Sequence, residues 1–392
     1  MSDRRTHWST EALLLGSGMF APLAMSALSP VLPKIQQAFG GTTDAAFMTK
    51  ATVMVVGIAM IVASPLSGAL MRRLGARRLL AGCYALFLFA GVIGMMMPTL
   101  QGIVATRLFV GAAAAVIVAV AISLIGTLYE GRARERRIGA IHGLGAALLA
   151  MLVPTSGLLG DLGGWRMAFL VHLVALPFLI LTLISPDLAT IQKDPPHGER
   201  ASSSIRPVLG IALVAILAGS ITFSIPVFEP FRLVEIGVHS SAVAGAMFSI
   251  TVGFSVASSL AFGELRRFAP NAILFLLAFG FWATGLTVVG FATTIQGVAS
   301  GMVLIGLGGG LVGPTIFSLV ASLSSDADRA RNTGLVKGVY YAGPFLGPSA
   351  LHLAFPHEPA STSLFALASL AGLLAVAACM MATRSRTIEP TT

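Results

Sequence analysis

The chain has 392 residues, of which 56% are hydrophobic and only 10% charged, and its formal net charge is +9. Soluble domains carry about 25% charged residues, so a water-covered globule is excluded and the surface must face lipid. The basic balance would otherwise point to nucleic acid, and where the cations sit along the chain decides between the two partners. Cys83 and Cys379 both fall inside long apolar runs, which offers neither a disulfide framework nor a thiolate metal site.

A bilayer core about 30 Å thick takes roughly 20 mostly apolar residues per helix. In chain order such runs cover 11–37, 47–71, 78–97, 101–128, 136–160, 164–185, 205–231, 240–264, 270–290, 294–322, 330–352 and 361–383. The sequence therefore predicts an all-α integral membrane protein with twelve transmembrane helices. The first run follows Arg4 and Arg5 but exceeds the apolar core of a signal peptide, so it reads as a membrane helix. With the N-terminus inside, the cytoplasmic segments hold 19 of the 25 Lys and Arg residues, whereas Lys34, Lys50, Arg166 and Arg232 lie on the outer side. The positive-inside rule then places both termini in the cytoplasm and the protein in the cytoplasmic (inner) membrane. The cations form a collar at the inner leaflet, which removes the case for nucleic acid.

The longest loop, 186–204, carries Asp187, Lys193, Pro195, Pro196, Arg200 and the Ser202–Ser204 run. It divides an N-terminal bundle, 1–185, from a C-terminal bundle, 205–392, each of six helices. A shift of 195 residues brings Gly68 onto Gly263, Gly111 onto Gly306, Ser123 onto Ser318, Arg134 onto Arg329, Gly139 onto Gly334 and Gly143 onto Gly338. One register across several helices indicates a duplicated, pseudo-symmetric architecture. Gly139/Gly143, Gly306/Gly310, Gly334/Gly338 and Gly343/Gly347 have the four-residue spacing that lets helix backbones approach closely.

The loop after the second helix reads Gly68-Ala-Leu70-Met-Arg72-Arg73-Leu-Gly75-Ala-Arg77-Arg78. It resembles the Gly-x-Leu-x-Asp-Arg-x-Gly-Arg-Lys signature of the major facilitator superfamily, with Arg72 in place of the usual Asp. Arg107-Leu-Phe-Val110-Gly111 is similar to the family's fourth-helix Arg-x-x-Gln-Gly, with Val110 replacing Gln. Pro154-Thr-Ser-Gly157 matches part of the fifth-helix motif of its drug:proton antiporters, and Gly164-Trp165-Arg166-Met-Ala-Phe169 resembles the start of its sixth helix. The resemblance spans the whole chain and implies a secondary transporter in which two bundles alternate access to a central cavity. It also implies that the family's Asp faces the helix-eleven N-terminus. Here Asp326 and Asp328, just before that helix, are expected to form a reversed-charge cytoplasmic gate with Arg72, flanked by Gly68, Arg73 and Gly75.

Ionisable groups inside a membrane are costly and default to function. Arg107 reads either as a group snorkelling outward or as a coupling or substrate residue. His172, in the sixth helix, reads as a packed, hydrogen-bonded histidine. His142 and Lys337 are repeat mates 195 residues apart, and Lys337 shares a helical face with Tyr340 and Tyr341. That face suits an anionic or aromatic group. The first helix has no carboxylate after Glu11, and the acids near helix ends are Asp44, Asp161, Glu229, Glu235 and Glu264. Glu229 reads as a solvated outer-loop charge or as a group at the cavity mouth. Pro154, Pro226 and Pro344 are expected to kink their helices, with Gly157 beside the first and Pro226 near a gate.

Gly308-Gly-Gly310-Leu-Val-Gly313 fits a dinucleotide fingerprint but lies in a membrane helix with no preceding strand, so no nucleotide cofactor is expected. No metal-ligand spacing or phosphate loop is present, which excludes an ATP-driven pump. The leading expectation is proton-coupled efflux of small amphipathic molecules by a monomer that is not an enzyme and needs no cofactor. Its partners are then a small-molecule substrate, protons or another coupling ion, and the lipid bilayer. The alternatives are an importer or facilitator of organic anions or carboxylated metabolites, and a non-transporting membrane assembly or lipid-handling protein.

Overall fold

The computed structural model describes residues 7–41, 44–190, 206–325, 328–356 and 358–387. Helices account for every regular element among them. A helix satisfies its backbone hydrogen bonds internally, which hydrocarbon demands of any spanning segment. Eleven helices are long and apolar enough to cross a membrane. The first six are α1 (Trp8–Ala38), α2 (Ala45–Leu74), α3 (Ala76–Met96), α4 (Leu100–Leu128), α5 (Gly131–Gly163) and α6 (Trp165–Ile184). After them come α7 (Arg206–Glu235), α8 (Ser241–Phe268), α9 (Asn271–Phe291) and α10 (Ile295–Leu323).

The run at 330–352 is not one helix. It forms α11 (Arg329–Tyr340) and α12 (Gly343–Ala354), and α13 (Ala360–Thr387) ends the described chain. Pro344 has no N–H to give the Tyr340 carbonyl, so the α-helical ladder cannot run through it. The end of α11 closes with a last α-helical bond, from Tyr341 N to the Lys337 carbonyl, followed by a tighter turn from Ala342 N to the Val339 carbonyl, both 3.1 Å. The kink expected at Pro344 is thus a break. Pro154 and Pro226, in contrast, lie inside unbroken α5 and α7.

The described residues fall into two compact units. One lies within Met1–Glu199 together with Ser240–Gly245, the other within Arg200–His239 together with Ala246–Thr392. Of the expected linker, 191–204 lies outside the described residues. In the first unit Phe20 packs edge-on against Tyr84, Phe87 and Phe178 at 5.0–5.1 Å, and Tyr84 shares a 2.8 Å hydrogen bond with Ser17. In the second, buried Trp282 donates from Nε1 to the Ile305 carbonyl at 3.0 Å, tying α9 to α10.

Equivalent caps start α4 and α10. Thr99 accepts from Gly102 N and Thr294 from Gly297 N, each at 3.2 Å, at the same 195-residue offset as the loop glycines and arginines. Tight turns join α2 to α3 at Gly75 (φ 78°) and α5 to α6 at Gly164 (φ 81°), a backbone region open to glycine. The small-residue pairs divide. Gly306 and Gly310 seat α10 against the Thr251 and Ser255 carbonyls of α8, and Gly343 and Gly347 seat α12 against Gly219 and Ser220 of α7. Gly139/Gly143 and Gly334/Gly338 have open space where a side chain would begin, so the expectation that they seat neighbouring helices is corrected.

Candidate functional site

Among its described residues the first unit buries one cation completely. Arg107, on α4, is 0% exposed, so it does not snorkel outward. Its Nε donates to the Thr52 carbonyl of α2 at 3.3 Å, and its Nη2 donates to the Ala24 carbonyl of α1. Its Nη1 meets His172 Nε2 of α6 at 2.8 Å. A guanidinium can only donate, so Nε2 is the acceptor and the imidazole proton sits on Nδ1. That proton is given to the Phe169 carbonyl at 2.8 Å. His172 is itself buried, with the rings of Phe87 and Phe169 at 5.3 and 6.3 Å, and it fits because Gly91 leaves the imidazole its space. The arrangement ties four helices together through one residue and matches the packed, hydrogen-bonded reading of His172.

Among the described residues the second unit buries two carboxyls, Glu229 and Asp328, and Glu229 is the more deeply enclosed. Glu229 is 1% exposed on α7, between buried Phe228 and Pro230, and its Oε1 has no hydrogen-bond partner among the described residues. The solvated-loop reading is corrected, because α7 continues to Glu235 and encloses the position within the helix. Ser224 Oγ, on the same helix, is also buried and without a partner among the described residues. Unpaired buried polar atoms cost about 1–3 kcal/mol each, so they are kept where they have a use.

Tyr340 and Tyr341 meet α7 at the break between α11 and α12. The Tyr340 hydroxyl donates to Thr222 Oγ1 at 3.0 Å, and the Phe223 ring lies 5.6 Å from Tyr340 and 6.1 Å from Tyr341. Gly219 permits this approach by leaving room for the Tyr340 carbonyl. Lys337 is half-buried one turn earlier on α11, whereas its repeat mate His142 is exposed on α5. The two basic mates thus occupy different surroundings. Sequence reasoning missed Thr222 and Phe223, since helical periodicity shows which residues share a face and not which faces meet.

Of the cytoplasmic gate set, Gly68 and Gly75 flank the turn, and Arg72 and Arg73 are exposed at the end of α2. Asp328 is buried and accepts from Ser325 Oγ at 2.7 Å, with Arg331 at 4.0 Å, inside its own unit. Asp326 lies outside the described residues. Along α5, Gly157 makes room for the Ser241 carbonyl, and Pro154 backbone sits over Gly245. Asp161, one turn further, collects Lys34 and the start of α8. Ser240 and Ser241, directly before an apolar run, were a readable helix-start signal; the partner of that start was not.

Eleven helices long and apolar enough to span a bilayer, with ionisable groups buried among them, define an integral membrane protein. The sequence profile of the Major Facilitator Superfamily matches residues 14–348, and the chain belongs to that superfamily of secondary transporters. Comparison with curated proteins gives no match. Among solved structures, a mutant of the nucleoside transporter NupG is similar at TM-score 0.79 and 13% identity, covering 96% of this chain and 100% of that one. A D-xylose–proton symporter is similar at TM-score 0.74 and 14% identity, covering 94% and 97%. A bacterial homolog of the human lysosomal transporter Spinster is similar at 0.71 and 15%, covering 95% and 96%. At such identities the likeness carries the fold alone.

Proposed function

We propose that this transporter exports small amphipathic molecules in exchange for protons, and that Glu229 carries the coupling proton. The supporting observation is the buried Glu229 carboxyl with an unpartnered oxygen. A lone carboxylate in low dielectric is costly, so the group takes up a proton when enclosed and yields it when water reaches it. The degraded antiporter motif at Pro154 and Gly157 agrees with exchange. The protein works as a monomer in the cytoplasmic membrane with both termini inside, and its two six-helix bundles, 1–185 and 205–392, provide alternating access. Arg72 and the acids before α11 serve as the inner gate.

A second reading rests on one cluster. Half-buried Lys337 beside Tyr340, Tyr341 and Phe223 offers a cation and aromatic faces, which favours import of a carboxylated or aromatic anion. Arg107, held by carbonyls and His172, ties together helices of the first unit.

The two readings separate in proteoliposomes loaded with ethidium or with labelled benzoate under an imposed proton gradient. Gradient-driven ethidium movement, lost in Glu229→Gln, supports exchange. Saturable benzoate uptake, lost in Lys337→Ala and kept in Glu229→Gln, replaces it with the second reading. Glu229→Gln protein with wild-type gradient response removes the proton role.

A further inference from the structure

One carboxylate in the first unit collects four hydrogen-bond donors. Asp161, in the last turn of α5, takes Lys34 Nζ at 2.6 Å, Ser240 Oγ at 2.7 Å, Ser241 N at 2.9 Å and Ala242 N at 3.0 Å. Lys34 also donates to the Gly160 carbonyl at 3.1 Å. The first backbone N–H groups of a helix have no partner within it, and an anion there is favoured by the helix dipole. Asp161 therefore caps α8 from a different helix. We propose that Asp161 is a releasable latch on the first turn of α8, and that its release is a step of the transport cycle; the second clause rests on the transport reading above.

Three features distinguish a latch from a static cap. The pair is at the rim, with Lys34 30% and Asp161 24% exposed, so water can replace the lost hydrogen bonds, as it cannot around Arg107 at 0%. The helix retains a cap of its own after release, because Ser240 Oγ accepts from Val243 N at 3.3 Å. The contact beneath runs through small residues, since Gly157 and Gly160 of α5 meet Ser241 and Gly245 meets Pro154. Of α8, residues 241–245 group with the first unit, so the latch acts at the first turn of a 28-residue helix.

A disulfide tests release directly. A Cβ built on Gly160 lies 3.8 Å from Ser241 Cβ, and bridged cysteines have Cβ atoms about 3.8 Å apart. The protein carries Gly160→Cys and Ser241→Cys, with Cys83→Ala and Cys379→Ser to remove competing thiols and Val31→Ala to clear the Val31 methyl that occupies the new Cβ position. It is folded reduced, placed in lipid nanodiscs and oxidised afterwards. Hydrogen exchange of the peptide covering 238–247 is then read by mass spectrometry. A releasing latch gives at least tenfold slower exchange at Ala242, Val243 and Ala244 in the oxidised protein, and Asp161→Asn in the wild-type background gives at least fivefold faster exchange. Equal exchange in the oxidised and reduced forms, within twofold, overturns release. In proteoliposomes the reduced protein moves ethidium or benzoate and the oxidised protein retains under a tenth of that rate, restored by reductant. A static cap predicts a harmless cross-link, so undiminished transport by the oxidised protein overturns the cyclic role. Reduced protein inert toward both probes with oxidation-sensitive exchange leaves the latch standing and counts against the transport reading alone.

Discussion

Arg107 and Glu229 are both charged residues closed off from solvent, one in each unit, yet their surroundings are opposite. Arg107 reaches two carbonyls and an imidazole, each on a different helix. Glu229 has a buried oxygen with no partner among the described residues. A charge-bearing group with acceptors on three other helices holds one arrangement of those helices, because any shift breaks bonds worth about 1.5–3 kcal/mol each. One with an empty lone pair has no such anchor, and it gains most from a proton. Burial alone thus does not mark a functional ion in a membrane protein. The number of satisfied atoms does.

The comparison breaks most readily at Arg107. Replacing it with Ala orphans His172 Nε2 and the Ala24 and Thr52 carbonyls, and is expected to cost about 3–5 kcal/mol. Thermal unfolding in detergent measures this, and a midpoint unchanged from wild type dissolves the contrast. Glu229→Gln should do the reverse. It keeps folding stability within about 1 kcal/mol and lowers gradient-driven transport at least tenfold, while substrate exchange without a gradient persists. Smaller still is Tyr340→Phe, which removes the hydroxyl held by Thr222 and is expected to cost about 0.6–1 kcal/mol, the range of interhelical hydrogen bonds in membranes. Least is Arg267→Ala. Its pairing with Glu264 is at 2.9 Å, but the side chains are 71% and 68% exposed, so the change in stability should stay below about 0.5 kcal/mol. A loss as large as that of Arg107→Ala would show that partner count matters more than burial.

Much of the architecture was legible beforehand. The helix starts at Thr99 and Thr294 and the turns at Gly75 and Gly164 are local signals, and they fall where the runs of apolar residues end. The break at Tyr341–Ala342 was half legible, since Pro344 announced a disturbance, but Pro154 and Pro226 announced the same and left their helices continuous. A proline's effect depends on whether neighbouring groups absorb the freed carbonyl, which is a tertiary matter. The glycine pairs show the same limit. Gly306/Gly310 and Gly139/Gly143 have identical spacing, and only the first has a partner helix against it.

The candidate site was legible by residue type and not by relation. Arg107, Lys337, Tyr340 and Glu229 stand out in any membrane sequence because their types are costly there. Nothing in the order of residues brings His172 to Arg107, Thr222 to Tyr340 or Ser240 to Asp161, since these partners are 65, 118 and 79 positions apart.

The sequence by itself determined a lipid-facing helical chain, the gathering of most of its cations in the segments between apolar runs, and its superfamily, because hydropathy, charge count and short loop motifs are properties of consecutive residues. Tertiary structure alone decided which buried groups are satisfied. Hydrogen bonds between helices depend on distances of about 3 Å between atoms far apart in the chain, and so the clamp at Arg107, the bare oxygen of Glu229 and the latch at Asp161 appear only once the helices are packed.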